Sequence, residues 1–187
     1  MRSLLPLFIL PIAIAAPAMA SESVSVPAFR SIQLRGGGEV TVRPGPVQRV
    51  TIIEGSGTIT RFRVERGDQL RIDVCDRNCP RHYRLRIDIQ SPSAPNLGID
   101  GGGLIRASAG FGPQRQLSAA IRGGGKIDAL AVPASDVSAA VHGGGLISVR
   151  ARSSLSAAVN GGGEIRYSGS PRITSAINGG GAVHRID

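Results

Sequence analysis

VSAAVHGGGLISV (Val137–Val149) is followed 18 residues later by LSAAVNGGGEIRY (Leu155–Tyr167), and reading the two in register decides the fold. In the first, Val137, Ala139, Val141, Ile147 and Val149 share one parity with Gly143 and Gly145. In the second, Leu155, Ala157, Val159, Ile165 and Tyr167 take the same places with Gly161 and Gly163. Period two is the signature of a strand with one buried face. The opposite parity reads Ser138, Ala140, His142, Gly144 and then Ser156, Ala158, Asn160, Gly162, which is small or polar throughout.

The pattern extends both ways. LSAAIRGGGKI (Leu117–Ile127) and ITSAINGGGAV (Ile173–Val183) are further copies, and LGIDGGGLI (Leu97–Ile105) is a worn one. Triplets begin at Gly101, Gly123, Gly143, Gly161 and Gly179, at spacings of 22, 20, 18 and 18 residues. A repeat of this length with no helix-period segment and no Leu/Asn framework excludes the leucine-rich repeat. Eighteen extended residues trace a path of roughly 60 Å, enough for one coil with two or three corners. Coils stacked about 4.8 Å apart would bury the apolar parity inside, which describes a parallel β-solenoid. Gly101, Gly123, Gly143, Gly161 and Gly179 are then structural corners, because glycine accepts backbone angles other residues avoid. On this reading Gly143 and Gly145 point inward, and Gly144 and its equivalents form a bare outer stripe.

Residues 22–96 read differently. An early copy, SIQLRGGGEVTV, precedes strands around Arg49–Ile53, Ile59–Val64, Leu70–Cys75 and Arg84–Ile89, separated by Gly- and Pro-rich turns. They are expected to form an N-terminal β-sheet cap on the coils of residues 97–187, the whole making one domain over residues 21–187. Residues 1–20 look like a signal peptide. Arg2 supplies the charge, Leu4–Ala16 the apolar run and Ala18-Met19-Ala20 the cleavage site. The expected location is therefore outside the cytoplasm, periplasmic or at the cell surface, with no membrane span once the leader is removed. In that oxidising setting Cys75 and Cys79 are read as a disulfide. A C-x3-C-x2-H metal site with His82 is the alternative, although its spacing fits no standard zinc pattern.

The repeated G-x-G-x-I frame, the closing GGGEIRYSGSPRITSAINGGGAV with Tyr167, Gly169 and Pro171, and the opening AFRSIQLRGGGEVTV resemble a known family. That family is the "putative auto-transporter adhesin, head GIN domain", and the resemblance covers nearly all of residues 28–187. It implies an exported, single-stranded, right-handed β-helix whose molecular function is not established. The chain departs from the family's usual Gly-Ser-Gly-Asp by placing Leu104, Lys126, Leu146, Glu164 or Ala182 after each triplet. An acidic ladder is therefore missing, and no metal ligands or cofactors carry over. No translocator barrel is expected within the chain.

A solenoid aligns equivalent positions, so chemistry is sought in columns. Asp100, Arg122, His142, Asn160 and Asn178 precede the triplets; Arg106, Asp128, Ser148, Arg166 and His184 follow them. Asp100 with Arg122, and Arg106 with Asp128, are expected to pair between coils as exposed register devices. Asp128, Asp136 and Glu164 fall in different columns, and no Ser has a His and an acid placed for a triad, so no catalytic residues are assigned. A net charge of +9, carried almost entirely by Arg, admits polyanions or simply solvated strand faces. Export and a 3% aromatic content argue against nucleic acid. The expected function is a non-enzymatic, adhesin-like binding module for envelope or extracellular polysaccharide. The alternatives are a structural protein that self-associates through an open last coil and, third, a carbohydrate-active β-helix enzyme.

Overall fold

The computed structural model describes residues 21–65, 67–75 and 79–187. The expected signal peptide lies outside the described residues. The protein is all-β, and among the described residues no helix is long and apolar enough to cross a membrane. In chain order the strands are β1 (Glu22–Val24), β2 (Ser31–Gly36), β3 (Glu39–Pro44), β4 (Arg49–Glu54), β5 (Arg61–Glu65), β6 (Gln69–Asp73) and β7 (Arg86–Ser91). There follow β8 (Asn96–Gly101), β9 (Leu104–Ala107), β10 (Gln114–Gly123), β11 (Lys126–Gly143), β12 (Leu146–Asn160), β13 (Glu164–Ser168), β14 (Arg172–Asn178) and β15 (Ala182–Arg185). All 15 belong to one mixed sheet.

The sheet consists of two walls joined at the glycine triplets. On the first wall β2, β8, β10, the second half of β11, the second half of β12, and β14 pair in parallel. On the second, β3, β9, the first half of β11, the first half of β12, β13 and β15 do the same. Equivalent residues lie directly opposite one another, for example Val137 with Leu155 and Leu155 with Ile173. Inward side chains Leu117, Ile121, Ile127, Val141, Ile147, Leu155, Val159 and Ile165 are buried, and Val132, Ala134 and Ala151 on the returning segments close the third side. Among the described residues only two aromatic rings, Phe29 and Phe111, are buried in this core. The narrow interior is filled instead by layers of aliphatic side chains, which explains the aromatic-poor composition.

The segment before residue 97 contains more parallel structure than its sequence suggests. β6 pairs in parallel with β2, and β7 with β3, so β6 and β7 form a rung outside the one made by β2 and β3. The chain thus builds its second rung first, turns outward to make the end rung, and crosses back to start β8 beside β2. Antiparallel strands then cover the end: β5 on β6, β4 on β7 and β1 on β4. The Tyr83 hydroxyl pins these turns, accepting from Ser56 N at 2.9 Å and donating to Ser56 O at 3.1 Å. Cys75 and Cys79 are disulfide-bonded at the edge of this region, the pairing expected of an oxidising compartment.

The triplets require one correction. The third glycine does point inward: a Cβ on Gly145 would meet Ile121 Cγ2 at 2.6 Å. The first does not. Gly143 has φ +121°, and its Cβ would point along the stack into the Gly123 carbonyl oxygen at 2.6 Å. The positive φ rotates the position out of strand parity, so the period-two extrapolation fails at the corner itself. Gly144 faces open space, as expected.

Candidate binding surface

Residues before the triplets form one outward column on the first wall. The register runs Asp73, Arg35, Asp100, Arg122, His142, Asn160, Asn178. Sequence reasoning found the last five and missed Arg35 and Asp73. The triplet at Gly36 marked Arg35, but nothing local shows that β2 lies against β8. Asp73 has no triplet after it and enters the column only through the pairing of β6 with β2.

The column changes character along its length. At the N-terminal end it is an ion-pair chain: Arg35 lies 3.6 Å from Asp73 and 3.4 Å from Asp100. Arg122, with a side chain 78% exposed, reaches Asp100 only at 3.9 Å. Beyond it, His142, Asn160 and Asn178 have no side-chain hydrogen-bond partner among the described residues. Beside them runs a largely apolar trough of about 200 Å³, with Val141, Ala158, Val159, Ala176 and Ile177 lining it together with His142, Asn160 and Asn178. Its floor is methyl groups and backbone; its rim is hydrogen-bonding side chains.

The second column, Arg106, Asp128, Ser148, Arg166 and His184, is also in register on the second wall. Arg106 lies 3.9 Å from Asp128. Arg166 does not act through its column. It makes a two-pronged contact with Glu164 on its own strand, at 2.8 and 2.9 Å, and His184 Nε2 lies 2.9 Å from the same carboxylate. The Arg166 hydrogen bond, with the Arg166 and His184 charges behind it, holds the Glu164 carboxyl below its ordinary range. These groups satisfy one another, leaving less charge available than in the first column. Among the described residues no three His, Cys, Asp or Glu side chains stand together as a metal site.

Asp73 is the most enclosed carboxylate of the surface, with a side chain 12% exposed. Burial pushes its pKa up, but hydrogen bonds and charge from Arg63, at 2.8 Å, and Arg71, at 3.1 Å, outweigh this and hold it below the ordinary value. A carboxyl depressed on folding stabilises above its unfolded pKa, and that contribution disappears as pH falls through the folded one. Asp73→Asn should therefore cost about 1–3 kcal/mol at neutral pH. Urea titrations should show the gap from wild type shrinking as pH falls below the ordinary Asp value of about 4. A gap that is independent of pH would contradict the assignment.

The parallel walls, the triplet corners and the closing Tyr167-Ser168-Gly169-Ser170-Pro171 are now placed. Residues 96–171 match the family described as "Putative auto-transporter adhesin, head GIN domain". The matched GIN segment runs from the start of β8 to the turn before β14, which is the regular part of both walls. Among solved structures the chain is similar to a putative adhesin from Bacteroides fragilis, at 20% identity and a TM-score of 0.50, over 89% of this chain and 96% of that one. It is also similar to a putative adhesin from Parabacteroides merdae, at 12% identity and TM-score 0.42, over 90% and 96% of the two chains. A putative lipid binding protein from Parabacteroides distasonis shows 16% identity and TM-score 0.39, over 90% and 96%. At these identities the likeness concerns the fold. No curated protein matches the chain.

Proposed function

We propose that the protein is an exported, non-enzymatic, adhesin-like module that holds extended envelope or extracellular polysaccharide along the first wall of a right-handed β-solenoid. The family match, the putative adhesin from Bacteroides fragilis of similar fold and the leader-like N-terminus support the export and adhesin parts of this reading. The observation that carries the ligand is the trough beside His142, Asn160 and Asn178, with Arg122 next in the same column. It repeats one hydrogen-bonding group per coil at a spacing near 4.8 Å, close to the length of one sugar ring. An ordered row of unpartnered donors above an apolar floor suits a linear polymer better than a compact small molecule. Arg122 adds a cation at the head of the row and favours acidic sugars.

Retention on an immobilised anionic polysaccharide tests this. Wild type should be retained at low salt and released as salt rises, because exposed charge contacts are screened. Arg122→Ala and Asn160→Ala should each weaken retention about three- to tenfold, the loss expected for one or two hydrogen bonds. Arg166→Ala should change it far less, since Glu164 already neutralises that guanidinium. No retention at low salt, or equal losses from Arg122 and Arg166, would overturn the assignment of the first wall.

A further inference from the structure

The two ends of the stack are finished differently. At the N-terminal end the outermost strands are β1, only three residues long, and β5, whose Arg61, Arg63 and Glu65 alternate with half-buried apolar residues. Short, charged edges of that kind discourage pairing with another chain. At the other end β14 pairs only with β12, and every residue of it is exposed. Ile173 and Ile177 continue the core columns of Leu155 and Val159 yet are 40% and 47% exposed.

The hydrogen-bonding parity of this edge is determined. Asn178 O accepts from Gly161 N at 2.8 Å, so the even-numbered residues of β14 direct their backbone groups at β12. The N–H and C=O of Ile173, Ser175 and Ile177 therefore face away from the molecule. The same three residues carry the inward side chains, and their order, Ile-x-Ser-x-Ile, is symmetric about Ser175. The adjoining strand is not built for extension. Arg185 occupies the inward column of Ala129, Val149 and Tyr167, and it is held by Asp187 at 2.6 Å. An inward-pointing charge blocks another rung from stacking on β15.

We infer that β14 is the docking edge for a second copy of this chain, paired antiparallel about a two-fold axis at Ser175. In that register Ile173 faces Ile177 of the other copy, and both cores run into one another. Arg172 faces Asn178, so no like charges meet across the axis. Each Ile173, Ser175 and Ile177 exchanges both backbone hydrogen bonds with its opposite number, which antiparallel pairing allows at alternate positions. Because the contact is isologous, assembly stops at two. The outer face of the first wall then continues from one copy into the next, with the Asn178 column of each copy meeting the Arg172 column of the other.

Cysteine cross-linking tests the register directly. Hydrogen-bonded antiparallel pairs hold their Cα atoms about 5.5 Å apart, within disulfide reach. Ser175→Cys should form a disulfide-linked dimer under mild oxidation. Ile173→Cys alone should not, because its copies lie about 13 Å apart, whereas a mixture of Ile173→Cys and Ile177→Cys should cross-link as a heterodimer. In sedimentation velocity the wild type should move from monomer to dimer with concentration and go no further. Ser175→Pro removes an N–H that β12 does not use, so it should abolish the dimer with an unchanged monomer melting curve. A monomer at every concentration would overturn the inference, as would open-ended oligomers or cross-linking through Val183→Cys rather than Ser175→Cys. None of these readouts involves polysaccharide, so the outcome is independent of the binding experiment.

Discussion

Gly143→Ala is expected to destabilise the protein by about 3 kcal/mol or more, while Gly144→Ala one residue away changes it by no more than about 0.5 kcal/mol. Two costs combine at Gly143. A φ of +121° is strained for any residue with a Cβ, and that Cβ would lie 2.6 Å from the Gly123 carbonyl oxygen. The oxygen cannot move aside freely, because it accepts the Gly144 N–H at 3.1 Å. Backbone strain of this kind costs of order 1–3 kcal/mol and forced overpacking a similar amount. The reduced freedom of the unfolded chain returns less than about 1 kcal/mol. At Gly144 nothing lies within 4 Å and φ is not in the left-handed region, so only the small unfolded-state effect operates. Urea unfolding followed by circular dichroism separates the two. Equal effects would show that the corner conformation described here is wrong.

Leu155→Ala should cost about 2–5 kcal/mol, whereas Ile173→Ala, the next residue in the same column, should cost less than about 1 kcal/mol in dilute solution. Leu155 is 1% exposed and lies between Val137 and Ile173, so truncation leaves a cavity with coils on both sides. Ile173 is 40% exposed on the last rung and has a neighbour on one side only. In a stacked array each rung is stabilised chiefly by the rungs next to it, so an end position loses about half of the interface. Thermal and urea denaturation of both variants at low concentration give the comparison. A large loss at Ile173 under those conditions would mean that the end rung is covered there. At higher concentration the Ile173 deficit should grow, since pairing of β14 would bury that side chain.

The regular coils were legible because their signal is local and repeated. Period-two alternation marked the buried parity of Val137–Val149 and Leu155–Tyr167, and triplet spacing aligned the columns. The first outer column was therefore predictable from Asp100 to Asn178. Its beginning was not. Asp73 joins Arg35 only because β6 lies parallel to β2, a pairing between residues 69–73 and 31–35 that no repeat announces. Equally, the spacing placed Arg122 and Arg166 in outward columns of the two walls, yet Glu164 on the same strand captures the Arg166 guanidinium while that of Arg122 stays exposed. Which side chains a column leaves free depends on rotamers and on neighbours across the strand, and spacing records neither.

The sequence alone determined the strand periodicity, the spacing of equivalent strands, the inward aliphatic residues and the family resemblance now matched over residues 96–171. Each follows from short-range chemistry repeated every 18 to 22 residues. Tertiary structure decided the rest: the outward rung of β6 and β7, the turn of Gly143 along the stack, and the contrast between a covered N-terminal end and an exposed β14. Those features depend on which distant segments meet. Hydrogen bonds between rungs and the burial of shared columns select that arrangement, and neither is encoded within a single repeat.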